Sequence, residues 1–137
     1  MAELQVSRTL DAPTDALWQL VRDFGNVRWI PGAQHAELEG SGPGMVRILA
    51  GPDGSVRERL ESVDEANQSI VYTITEGLPF PVTGYRATMR VSDAGGKGHL
   101  DWSCSFEPDG VSEEAAAKGI ETMYGVMLGW IEDCLKG

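Results

Sequence analysis

Arg47 and Glu58 are the residues of this chain whose types and setting could do chemistry. Arg47 sits in Met45-Val46-Arg47-Ile48-Leu49, where every neighbour is apolar, so its guanidinium is set in hydrophobic surface whichever way a strand is turned. In Val56-Arg57-Glu58-Arg59-Leu60-Glu61, period-2 alternation groups Val56, Glu58 and Leu60 on one face and the other three residues opposite. A carboxylate on an apolar face is costly unless something pairs with it, and a cation on the preceding strand is a suitable partner. Such a pair is either a structural ion pair or the polar centre of a ligand or reaction site. Its chemistry suits proton transfer. Arg47 would hold an oxyanion or an acidic hydroxyl while Glu58 relays a proton as general base and acid.

The elements that must position this pair follow from punctuation and periodicity. Gln5 to Leu10 alternates as a strand, and Asp11 and Pro13 then introduce a helix over about 13–24 with Leu17, Trp18, Leu20, Val21 and Phe24 as its stripe. A second short helical piece is expected around 26–30, ended by Pro31-Gly32. Glycine- and proline-rich breaks then separate β-rich runs at about 35–39, 44–50, 55–63, 69–76, 83–92 and 98–107. That spacing predicts an antiparallel meander. Tyr85, Ala87, Met89 and Val91 share one face of their strand; Leu100, Trp102, Cys104 and Phe106 share one face of the next. Ser112 caps a final helix with Glu113 and Glu114 in its first turn and an apolar stripe through Ile120, Met123, Tyr124, Met127, Trp130 and Ile131. Gly119, Gly125 and Gly129 interrupt it, which suggests close packing on a curved sheet or room for a ligand. The natural solution is an α+β fold, a curved seven-stranded antiparallel sheet wrapped around a long C-terminal helix with two short helices after the first strand. A sheet that does not close tightly on the helix leaves a pocket between them.

Composition narrows the function. The 137 residues fit one domain spanning 1–137, large enough for a core and a cavity. Net charge is -10, with no basic cluster, which argues against nucleic acid and anionic membrane surfaces as partners. Cys104 and Cys134 lack metal-site spacing and read as free thiols, and neither cofactor nor metal is expected. No basic, apolar leader begins the chain and no run approaches the roughly 20 apolar residues of a membrane span. A cytoplasmic monomer or homodimer is the expectation.

Taken as a set, Asp11-Ala12-Pro13, Gly42-Pro43-Gly44-Met45-Val46-Arg47 and the final helix resemble the helix-grip fold of the START and Bet v 1-like (SRPBCC) superfamily, in its polyketide cyclase/dehydrase branch. A narrower similarity joins Gly44 to Arg47, Arg57-Glu58-Arg59-Leu60, Tyr85 to Val91 and Leu100-Asp101-Trp102-Ser103 to the plant lachrymatory factor synthase group. That resemblance implies Arg47 and Glu58 as a catalytic pair, with Tyr72 and Tyr85 lining the pocket. The loop Glu76-Gly77-Leu78-Pro79-Phe80-Pro81 departs from that group and looks more like the gate of plant hormone receptors of the same fold, whose histidine latch has no match here. The superfamily implies a small, largely hydrophobic ligand held between sheet and C-terminal helix. The expected ligand contacts are Tyr72, Tyr85, Leu78, Phe80, Met89, Ile120, Met123 and Met127. Each also has a plainer reading as core, and the 77–84 loop as a stiff turn rather than a lid. The favoured function is a binding protein; the rival is a cofactor-free cyclase, dehydratase or isomerase.

Overall fold

The computed structural model describes residues 1–33, 36–51 and 54–136. His35, expected at a loop end, and Pro52 and Asp53 of an expected turn lie outside the described residues. The elements are β1 (Ala2–Pro13), α1 (Thr14–Arg22), β2 (Glu37–Glu39), β3 (Val46–Gly51), β4 (Gly54–Asp64), β5 (Ser69–Glu76), β6 (Val82–Ala94), β7 (Lys97–Pro108) and α2 (Glu113–Lys136). One antiparallel sheet runs in the order β1-β7-β6-β5-β4-β3-β2. The meander accounts for that order: every consecutive pair from β2 to β7 is adjacent, and β1 closes beside β7. Alternation is kept where it was legible. Leu100, Trp102, Cys104 and Phe106 are buried, as are Tyr85, Ala87, Met89 and Val91.

Bulges bend the sheet and aim its inner face. Gly84 (φ 64°) lies in a register shift between Thr83 and Arg86, which lets both Val82 and Tyr85 point inward. In the β4–β5 pair, two shifts bracket the stretch from Glu58 to Leu60. The helix α2 packs along β1 and β7, and α1 packs across β6 and β7. The half of the sheet made by β3, β4 and β5 therefore stands away from α2, and the space between them is the cavity described below.

Three expectations are corrected. The second short helix does not form. Residues 26–30 make isolated turns, with Ile30 N–H donating to Val27 O and Ala33 N–H to Ile30 O. Pro31 has no N–H and disfavours the helical region for Ile30, while Val27 and Trp29 are buried with exposed Arg28 between them, a two-residue pattern. Asp11 does not cap α1. It remains in β1, its carboxylate 3.4 Å from Lys97 Nζ, and Pro13 occupies the cap position with no side-chain hydrogen bond. Ser112 does cap α2, its Oγ accepting from Ala115 N–H at 3.1 Å.

The helix glycines do not serve close packing. A Cβ at Gly119 or Gly125 would meet nothing within 4 Å, and one at Gly129 would first meet Arg8 Nη1 at 3.9 Å. Gly119→Ala and Gly125→Ala should each raise stability by up to about 1 kcal/mol through backbone entropy alone. Thermal unfolding of the single and double variants reads this; a fall in midpoint would mean that these positions pack against something.

Candidate functional site

Arg47 and Glu58 are directly opposed in the β3–β4 register. Arg47 is 5% exposed and Glu58 8%. Arg47 Nε donates to Glu58 Oε1 at 2.6 Å, and Nη1 donates to the Phe24 carbonyl at 3.0 Å. The guanidinium carbon lies 3.9 Å from the Phe24 ring centroid and 5.8 Å from that of Tyr72. Arg47 is thus held by a carboxylate, a carbonyl and an aromatic face, an arrangement that offsets much of the desolvation of a buried charge. Among the described residues, Glu58 Oε2 has no protein partner.

Beside Glu58 lies a cavity of about 290 Å³. Its sheet wall carries Glu58, Tyr72 and Tyr85, with Val56 and Ile74 between them. Its helix wall is Met123, Met127 and Trp130, and its mouth is framed by Ile30 to Ala33, Leu49, Ala50, Pro79 and Phe80. Glu58 faces Ile74 across the β4–β5 ladder while Leu60 faces Tyr72, so Tyr72 is the diagonal neighbour of Glu58. Tyr72 faces Ala87 across β5–β6, which makes Tyr85 the next diagonal step. A polar diagonal, Glu58–Tyr72–Tyr85, therefore crosses three strands of an otherwise apolar wall. Two larger hollows, of about 480 and 680 Å³, open on the outside of the sheet and beside the 40–43 turn. Neither is lined by Arg47 or Glu58.

The hydroxyls are built in from behind. Trp102 Nε1 donates to Tyr72 Oη at 3.1 Å, and the hydroxyls of Tyr85 and Tyr124 hydrogen-bond to each other. Trp102 stacks on Tyr124 with centroids 4.6 Å apart and meets Trp29 edge-on. Burial pushes the pKa values of Tyr72, Tyr85 and Tyr124 well above the usual phenol value, and burial likewise raises the Cys104 thiol. The phenols stay protonated, and they donate rather than act as bases.

Of the expected site residues, Glu58, Tyr72, Tyr85, Phe80, Met123 and Met127 line the cavity. Arg47 stands one layer behind it. Met89 and Ile120 are buried in the packed core, on the side where α2 and α1 press against the sheet, and Leu78 is half-buried against the core beside the mouth. Trp130 and the segment from Ile30 to Ala33 were not among the expected contacts. Trp130 shares the Met123–Met127 stripe at helical spacing, a usable signal. The 30–33 segment carries no such mark.

A family model described as "Polyketide cyclase / dehydrase and lipid transport" matches residues 1–131. The chain belongs to this family. It is 35% identical over 115 residues to the major allergen Mal d 1 of Malus domestica, a match covering 76% of this chain and 72% of that protein. An uncharacterized protein from Bacillus thuringiensis superposes with a TM-score of 0.86 at 30% identity, covering 99% of this chain and all of that one, 100%. The fold is also that of a Thalictrum flavum norcoclaurine synthase point mutant, solved with a transition-state analogue, at a TM-score of 0.75 and 18% identity over 98% of this chain and 93% of that one. The polyketide cyclase/dehydrase membership and the Bet v 1-like fold agree with the motifs around Asp11, Gly42 and Arg47. No helix among the described residues is long and apolar enough to cross a membrane.

The mouth depends on one glycine. Gly77 has φ +74°, and a Cβ there would collide with the Ser55 carbonyl oxygen at the start of β4. Gly77→Ala should destabilise the fold by about 1–3 kcal/mol and displace the 77–81 loop. Denaturant unfolding measures the first effect, and amide shifts of Leu78 and Phe80 the second; a variant unchanged in both would show that the loop tolerates a side chain at its base.

Proposed function

We propose that this polyketide cyclase/dehydrase family member binds a small, largely apolar molecule in the cavity between sheet and α2. The observation that carries the reading is a hollow of about 290 Å³ whose described lining side chains are apolar apart from one pinned carboxylate, two phenols and the indole N–H of Trp130. That volume is at the small end of ligand pockets, roughly 300–1,000 Å³. Half-buried Met123 and Met127 provide walls that adapt to irregular guests. Arg47, with Nε and Nη1 engaged, serves as the group that fixes Glu58 rather than as a ligand contact.

A second reading is favoured by Glu58 Oε2. A carboxylate facing an apolar guest is placed to move a proton, as a cyclase, dehydratase or isomerase requires. One experiment separates the two. Native mass spectrometry identifies a co-purified small molecule, and that molecule is then titrated into wild type, Glu58→Gln and Met127→Trp. Met127→Trp fills the hollow and should abolish binding in a folded protein; unaltered affinity would refute the cavity as the site. For a carrier, Glu58→Gln changes affinity alone. For an enzyme it lowers turnover by about 100-fold or more while binding persists.

A further inference from the structure

We infer that the guest is a hydroxyl-bearing molecule, a compact phenol or alcohol seated with its hydroxyl against the Glu58–Tyr72–Tyr85 diagonal and its hydrocarbon body against α2. The inference rests on the binding reading above and adds the chemistry of the head group. Glu58 Oε1 already accepts from Arg47 Nε, so Oε2 is the acceptor left to the cavity. Tyr72 Oη already accepts from Trp102 Nε1, so what it retains is its own O–H proton. Tyr85 hydrogen-bonds to both Tyr124 and Tyr72, so the three hydroxyls form a chain joined by two bonds, which leaves one proton of the three to spare. Burial keeps these phenols protonated.

The wall therefore presents an acceptor and a donor on neighbouring diagonal positions of one face. A hydroxyl meets both, donating to Glu58 and accepting from a tyrosine. An ether accepts only and leaves Glu58 Oε2 desolvated without a partner. A carboxylate does the same and adds like-charge repulsion, since among the described residues no lysine, arginine or histidine lines the cavity to receive it. An ammonium donates only, so it satisfies Glu58 Oε2 but leaves the tyrosine proton without an acceptor. Opposite the diagonal, Met123, Met127 and Trp130 offer no polar group apart from the indole N–H, so the polar end of the guest has one direction to face.

The test compares beta-naphthol, its methyl ether and beta-naphthoate at neutral pH. Affinity is read by titration calorimetry, and the binding place by isotope-labelled methionine methyls. Beta-naphthol should shift the Met123 and Met127 methyls and bind at least about tenfold more tightly than the ether, the margin of a hydrogen bond to a charged group. Naphthoate should be the weakest of the three. In Glu58→Gln, naphthoate should gain on naphthol, because the repulsion is gone while an acceptor remains. Equal affinities for naphthol and ether, with both methyls shifted, would overturn the inference and leave the binding reading standing. Naphthoate binding most tightly would overturn it too. Methyls unmoved by all three probes would overturn both. The wild-type series decides the matter even if Glu58→Gln does not fold.

Discussion

Arg47→Met lowers the free energy of unfolding by about 3–5 kcal/mol, because it leaves the Glu58 carboxylate buried without its counter-charge. The loss has three parts: the 2.6 Å bond to Glu58, the bond to the Phe24 carbonyl, and the stacked guanidinium over the Phe24 ring. Glu58→Met strands the opposite charge and should be destabilising for the mirror reason. The double variant Arg47→Met/Glu58→Met removes both charges together. It should regain most of the loss, since apolar side chains of similar volume often replace a buried pair at little net cost. Denaturant unfolding of the four proteins forms a double-mutant cycle. If the single variants cost under about 1 kcal/mol, the pair is hydrated like a surface bridge and the enclosed site described above does not exist.

A collapse of stability above pH 10 is the second large effect. All three tyrosines of the chain, Tyr72, Tyr85 and Tyr124, are buried, and burial raises each pKa above its ordinary value of 10.0. The sign follows from proton counts. Below pH 10 the phenols are protonated in both folded and unfolded chains, and their contribution is intact. Above it the unfolded chain releases three phenol protons that the folded chain retains. Stability should then fall by up to about 4 kcal/mol per pH unit, three protons at roughly 1.4 kcal/mol each. Tyrosinate absorbance should accordingly remain silent past pH 10 and then rise in one step together with loss of near-ultraviolet circular dichroism. A gradual rise centred near pH 10 in a protein that stays folded would show that these rings are open to water.

Much of the architecture was legible because the strands alternate cleanly. Val56, Glu58 and Leu60 share the buried face that period-2 reading assigned to them, and the meander spacing carried the strand order. Facing inward, however, is not the same as lining the hollow. Met89 and Ile120 face inward on the side where helices press close, so they are packed, while Met123 and Met127 face the half of the sheet that α2 does not reach. That distinction depends on where the helix crosses the sheet, which no local pattern encodes. The same limit explains Arg47. Its burial was readable, but its stacking on Phe24 joins residues from separate elements, and this contact keeps the side chain out of the cavity lining. The 26–30 stretch misled in the other direction. It was expected as a short helix ended by Pro31-Gly32, yet Pro31 and the inward turn of Trp29 hold it in irregular turns at the cavity mouth.

The two walls of the hollow belong to different parts of the fold, and this separates what can vary from what cannot. The polar groups that would orient the proposed guest lie on strands and are locked by Arg47, Trp102 and Tyr124, so altering them endangers the whole domain. Those that would set its size, at 123, 127 and 130, are half-buried on one helix and hold no such network together among the described residues. Redesign of guest size, in the laboratory or by drift, can therefore proceed along a single face of α2 while the charged pair beneath stays untouched.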